Sequence, residues 1–132
     1  MNEIVSVQRS LPPVLLGSVT PENRQRVENF FFSVASIFEA WVNRRKSEHT
    51  RRAYRGDVMA FVQFMGSREP GSWRWPEDSV ELLSASILDV QAFKDKMVED
   101  SAAPKTINRR ISSLSSFYKF LAAAAAELRL PI

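Results

Sequence analysis

Apolar residues recur at spacings of three and four in four separate stretches of this chain, and no stretch alternates them convincingly with polar ones. That period is helical, so the chain must fold as helices packed on one another rather than as a sheet. Val27, Phe30, Phe31, Val34, Ile37, Phe38, Trp41 and Val42 form the first stripe, and Tyr54, Val58, Phe61, Val62 and Met65 the second. Ile87, Val90, Phe93, Met97 and Val98 form the third; Ile107, Ile111, Leu114, Tyr118 and Leu121 form the fourth. Each stripe can be buried only against another, which makes the expected fold an all-α, compact bundle of four main helices. At 132 residues, 45% of them hydrophobic, the chain has the length and side chains for one domain with a real core.

Helix boundaries follow from capping chemistry. Thr20, Pro21 and Glu22 offer a hydroxyl cap, a proline for the first helical position and an acid facing the helix dipole. Ser47 is the expected cap of a second helix over about 48–65, and Ser86 with Asp89 three positions later approximates a capping box for a third over about 87–100. Pro104 opens a fourth, which runs to about Ala126. Residues 1–19, with Pro12, Pro13 and Gly17, read as a flexible N-terminal arm, leaving 20–132 as the helical domain. Between the second and third helices Gly66, Pro70, Gly71 and Pro76 break the pattern. Trp73 and Trp75 fall in that break and are expected to fold back as a lid on the core.

Charge is segregated along the chain. The net value is only +3, from 18 Lys and Arg against 15 Asp and Glu, yet residues 67–100 carry four cations and eight acids while both flanking segments are basic. Arg44, Arg45, Lys46, Arg51, Arg52 and Arg55 crowd into fourteen residues with the single acid Glu48. Such a cluster suits a polyanion, nucleic acid above all, although a merely solvated helix face is the plain alternative. On the fourth helix Lys105, Arg109, Ser112, Ser116 and Lys119 share one face, with Thr106, Arg110 and Ser113 beside it. Serine is a mediocre helix former, so four of them at 112, 113, 115 and 116 call for a reason. Small hydroxyls allow close approach to a DNA groove and donate to phosphate or base edges. Close helix packing is the other reading, and for Ser115 the preferred one.

Enzyme chemistry has little footing. There is no nucleophile elbow and no Gly-rich phosphate loop, and the chain holds only four Gly. With no Cys and one His, thiolate and multi-histidine metal sites are excluded. Asp95 and Glu99 are four apart but have flanking lysines and no further ligand. His49, at a helix start, is better read as a cap or phosphate contact than as a base. No cofactor, metal or small-molecule substrate is expected. Lack of Cys, of a secretory leader and of an apolar run near 18 residues fits a cytoplasmic protein with no membrane partner.

The stretch Ser47-Glu48-His49-Thr50-Arg51-Arg52-Ala53-Tyr54-Arg55-Gly56-Asp57-Val58, followed by Phe61 and Phe64, resembles the second-helix signature of the SAM-like core-binding domain of tyrosine recombinases, the phage-integrase family. Pro104-Lys105-Thr106-Ile107-Asn108-Arg109-Arg110-Ile111-Ser112-Ser113-Leu114, running on through Phe117, Tyr118, Phe120 and Leu121, is similar to the last helix of that domain. The resemblance spans about residues 27–131 and leaves 1–19 without a counterpart.

In that family the core-binding domain is one half of a clamp around duplex DNA, with its second and fourth helices towards the major groove. The resemblance therefore implies DNA contacts from Thr50, Arg51, Arg52 and Arg55 and from Lys105, Thr106, Asn108, Arg109 and Arg110, to which the serine-rich face adds Ser112, Ser116 and Lys119. Expected partners are double-stranded DNA and other recombinase protomers on it, with the protein nucleoid-associated when bound. The family's catalytic tyrosine belongs to a separate C-terminal domain, so this chain is expected to be a non-catalytic piece, a cloned fragment or a natural truncation. The rival reading is a helical protein-interaction module that applies its basic faces to an acidic partner. A small helix-turn-helix regulator is the weaker alternative, because no short Gly-containing turn joins two compact helices.

Overall fold

A computed structural model of the chain describes residues 21–66 and 73–129, and the expected N-terminal arm and Thr20 lie outside them. Five helices follow in order: α1 Pro21–Asn43, α2 Glu48–Gly66, α3 Glu77–Ser84, α4 Ile87–Glu99 and α5 Pro104–Leu128. No strand occurs among the described residues. The four main helices of the sequence reading are α1, α2, α4 and α5.

Ser47 caps α2, its Oγ accepting from the Thr50 amide at 3.3 Å. At α4 the capping box is complete: the Asp89 amide donates to Ser86 Oγ at 3.3 Å and the Ser86 amide to Asp89 Oδ2 at 2.8 Å. The α4 C-terminus closes as a Schellman motif, with Ala102 N donating to Met97 O at 2.9 Å and Ser101 N to Val98 O at 3.0 Å. Ser101 pays for this in backbone conformation, standing at φ 61° where glycine is the usual residue.

The short helix α3 was hidden by the breakers around it. Pro76 merely precedes the helix, and the Asp78 carboxylate holds the turn by accepting from Arg74 N at 2.6 Å. Ser79 Oγ donates to Phe31 O at 2.9 Å in a buried bond and Tyr118 Oη to Leu82 O at 2.6 Å in a partly buried one, so α3 is tied to α1 and α5 by polar bonds as well as by Leu82. Of the two tryptophans expected to cover the core only Trp73 does so, 4.9 Å from the buried Phe38 ring; Trp75 instead meets Phe32, a 61% exposed side chain, edge-on at 5.6 Å.

At the centre α5 packs across α1, α2 and α4. Val34, Phe38, Trp41, Val58, Phe61 and Phe117 are wholly buried, and the aromatic rings interlock, Phe117 edge-on to both Phe38 (5.7 Å) and Trp41 (5.5 Å). Moving forward along α2 means moving back along α5: Tyr54 touches Trp41, which bonds Ser116, whereas Asp57 bonds Ser113 and Arg109. The two helices are therefore antiparallel.

The third apolar stripe is narrower than the sequence suggests. Phe93 and Met97 are buried and Val90 partly so, but Ile87 is 80% and Val98 60% exposed. At about 100° per residue both lie some 80–100° from Met97 on the same side, beyond the face that α4 turns to α2 and α5.

Candidate nucleic-acid interface

The polar centre of the molecule is a carboxylate that the basic residues surround. Asp57 stands in α2 between the positions of the buried stripe and is only 1% exposed. It accepts from Arg109 Nη2 at 2.7 Å and Nε at 3.1 Å and from Ser113 Oγ at 2.7 Å, while Arg110 Nε stands 4.0 Å away. A buried carboxylate is tolerable only when paired and hydrogen-bonded, and both conditions are met here. Hydrogen bonding to Asp57 holds the proton of the Arg109 guanidinium more tightly than usual. Two of the five guanidinium N–H groups satisfy Asp57 and the others remain. The side chain is still 53% exposed, so the same arginine that locks α5 to α2 presents donors outward.

Along α5 most of the expected face is open to solvent. Lys105, Asn108, Arg109, Ser112 and Lys119 are exposed, and Thr106, Arg110 and Ser116 are half-buried. Arg110 reaches Met97, its Nη1 3.9 Å from the sulfur. The four serines divide by role. Ser113 is buried on Asp57, and Ser116 accepts from the Trp41 indole at 3.1 Å. Ser112 and Ser115 are exposed. Ser115, assigned to helix packing from the sequence, is thus corrected: Ser113 takes that part, because it is the serine one turn from Arg109 on the side facing α2.

The cluster around the start of α2 is more involved in the fold than its sequence implies. Arg55 forms a two-pronged pair with Glu39 of α1, at 2.6 and 2.7 Å, which raises its pKa further. Arg51 Nε donates to Arg45 O at 2.7 Å and so closes the turn between α1 and α2. Arg45 itself lies 4.2 Å over the Tyr54 ring. Arg52 is exposed and Thr50 half-buried with its amide on Ser47. The set free to meet a ligand on α2 is therefore smaller than Arg51, Arg52 and Arg55 together.

Asp57 and Glu39 were the residues that sequence reasoning passed over. The signal was present for Asp57: it is the one acid of α2 beyond its first turn, and it stands directly before Val58 in the buried stripe. Among the described residues no three His, Asp or Glu side chains gather as metal ligands, and no helix is long and apolar enough to cross a membrane.

The chain matches the family described as phage integrase, N-terminal SAM-like domain, over residues 39–125. Among curated relatives, the tyrosine recombinase XerC of Listeria innocua serovar 6a is 33% identical over 78 residues, 59% of this chain and 23% of that protein. The XerC of Anoxybacillus flavithermus is 30% identical over 96 residues, 72% of this chain and 29% of its own length. That of Pediococcus pentosaceus is 33% identical over 88 residues, covering 65% and 27%. The chain thus spans about a quarter of the length of these relatives. No solved structure matches it. With the matched segment covering the end of α1 through most of α5, and both signature helices inside it, the chain belongs to the N-terminal SAM-like domain family of phage integrases.

Proposed function

We propose that this domain binds duplex DNA as one half of the clamp of a tyrosine recombinase, in the cytoplasm, while strand cleavage and transfer are carried out by a separate catalytic domain. The observation that carries the reading is the α5 face: Lys105, Arg109 and Lys119 stand exposed with Asn108 and Ser112 on the helix that the family signature covers, and Arg109 is held in place by a buried carboxylate. Pre-orienting an arginine lowers the ordering cost of a phosphate contact. Phosphate contacts set the register, and the short polar side chains of α5 are suited to base edges. Arg52 extends the contact from α2.

A second partner is supported on the opposite character of α4. Its Ile87 and Leu88 are 80% and 76% exposed, with Asp89 next to them in sequence and the three acids of α4 outnumbering its two lysines. An exposed apolar pair on a helix without cationic excess offers a polyanion little and suits a neighbouring recombinase protomer on the same DNA.

Fluorescence-anisotropy titration of a labelled duplex at several salt concentrations tests the proposal. With about four to six phosphates neutralised, log K falls against log salt with a slope of about −4 to −5. Replacing Arg52 and Lys105, both exposed, weakens binding, and Lys94→Ala on α4 leaves it unchanged. Equal losses at Lys94 and at Arg52 with Lys105 would refute the face; indifference to duplex at low salt would transfer the basic residues to an acidic protein partner.

A further inference from the structure

Past Asn43 the chain runs beside the middle of α5, and the two segments border an open cleft of about 560 Å³. Arg44, Ser112, Ser115, Ser116, Lys119 and Phe120 line it together with Ala123, so the lining holds two cations, three hydroxyls and no acid. Nothing in the sequence singles out Arg44 from its basic neighbours. In the fold it is separated from them: Arg45 turns to Tyr54, whereas Arg44 lies over the Phe120 ring at 4.8 Å. A guanidinium stacked on a ring keeps its plane fixed and its N–H edge available.

Ser116 adds a hydroxyl that is anchored through its acceptor side. Its Oγ accepts the indole N–H of buried Trp41 at 3.1 Å. A hydroxyl that accepts at one lone pair still has its own hydrogen to give, and Ser116 lines the cleft. Ser112 and Ser115 bring two further exposed hydroxyls. Donors from two cations and up to three hydroxyls converge on one open depression, which is the chemistry that recognises a phosphate group.

We propose that this cleft is a phosphate site and that, resting on the DNA-binding reading above, it receives one phosphodiester of the duplex backbone. Lys119 lies ten residues beyond Arg109, about 15 Å along the helix axis, so the cleft meets a different phosphate from the one Arg109 faces. It joins Arg44 to the Lys119 end of the basic face of α5, and an open depression lets the esterified strand continue on both sides.

Trp41 supplies the reporter, because its indole N–H is bonded to the cleft hydroxyl. In ¹H–¹⁵N spectra of the labelled chain, the Trp41 indole peak is followed while a mixed-sequence duplex, or in a second arm inorganic phosphate, is added. The duplex is expected to move the peak, and Arg44→Ala with Lys119→Ala to abolish the movement and flatten the salt slope of duplex binding by about 1. Lys119→Gln, at an exposed side chain, reduces the same effects without touching the Phe120 contact, and Lys94→Ala leaves them intact. Movement with duplex but not with free phosphate identifies the backbone as the source, and movement with both supports the shared phosphate chemistry. If the chain binds duplex with the peak unmoved and the double variant keeps the full slope, the site is overturned while the DNA reading stands. Should duplex be ignored while inorganic phosphate moves the peak and Lys119→Gln suppresses this, the DNA reading fails and the cleft's ligand is a free phosphate.

Discussion

Arg109 of α5 and Asp57 of α2, fifty-two positions apart in sequence, form a pair in which a buried carboxylate holds an outward-facing guanidinium at 2.7 Å. One side chain thereby serves the join between two helices and the surface they share. Substitution at Arg109 consequently changes stability as well as any ligand contact, so a loss of binding in that variant is read only beside its unfolding curve.

Removing Arg109 leaves the buried Asp57 carboxylate with only the Ser113 hydroxyl and the more distant Arg110 Nε. Arg109→Ala is expected to destabilise the domain by about 1–3 kcal/mol, solvent access to the half-exposed arginine keeping the loss below that of a fully buried pair. Replacing both residues by apolar ones, Asp57→Leu with Arg109→Met, recovers part of the loss, because no buried carboxylate is left short of its main partner, although Arg110 and Ser113 lose Asp57. Urea unfolding of the two singles and the double measures the coupling. Additive losses would mean that the pair is not a unit.

Arg52 and Arg55 separate binding from stability. Arg55 is bonded to Glu39 by both its terminal nitrogens, whereas Arg52 is exposed. Arg52→Ala is expected to weaken duplex binding with little change in Tm. Arg55→Ala lowers stability by about 0.5–1 kcal/mol, the range of a well-formed but partly exposed ion pair. Parallel anisotropy and thermal melts check both, and the reverse pattern would reassign the two arginines.

Tyr118 gives the domain an alkaline limit. Burial raises its pKa well above the ordinary tyrosine value, with the Asp89 charge adding to the effect. A group whose folded pKa is raised contributes stability that is complete below the unfolded pKa, about 10, and is lost as pH climbs towards the folded value. Stability therefore falls above about pH 10 in the wild type, and that component of the fall is absent in Tyr118→Phe. The variant also loses the hydrogen bond to Leu82 O, a cost of about 1 kcal/mol at neutral pH. Denaturant midpoints from pH 8 to pH 11 test both parts.

Ser101 occupies a left-handed position, φ 61°, that the Schellman closure of α4 requires. Glycine adopts it without the Cβ penalty, though it gains freedom in the unfolded chain. Ser101→Gly is expected to raise stability by about 0.5–1 kcal/mol, seen as a higher urea midpoint with unchanged slope.

Local chemistry was the legible part of the sequence. The caps at Ser47 and Ser86, the proline start of α5 and the stripes of α2, of α5 and of α1 from Phe31 to Val42 depend on neighbours within a turn or two, and the structure holds them where the spacing puts them, the Val27 side chain lying outside what is described. What escaped depends on residues far apart. With eight residues and Leu82 as its one buried hydrophobic residue, α3 shows no period, and it stands through Ser79 and Tyr118 bonds to distant helices. The arginines form one basic class in sequence, yet Glu39 and Asp57 divide them into pairs and free groups, and no local pattern reveals which.

The most direct test of the central claim is to map where duplex DNA lands on the ¹⁵N-labelled domain by amide chemical shifts. The α5 face from Lys105 to Lys119 and the start of α2 around Thr50 and Arg52 are predicted to shift, with α4 from Ile87 to Glu99 unmoved. Shifts centred on α4, or none at low salt, would contradict the DNA-binding account.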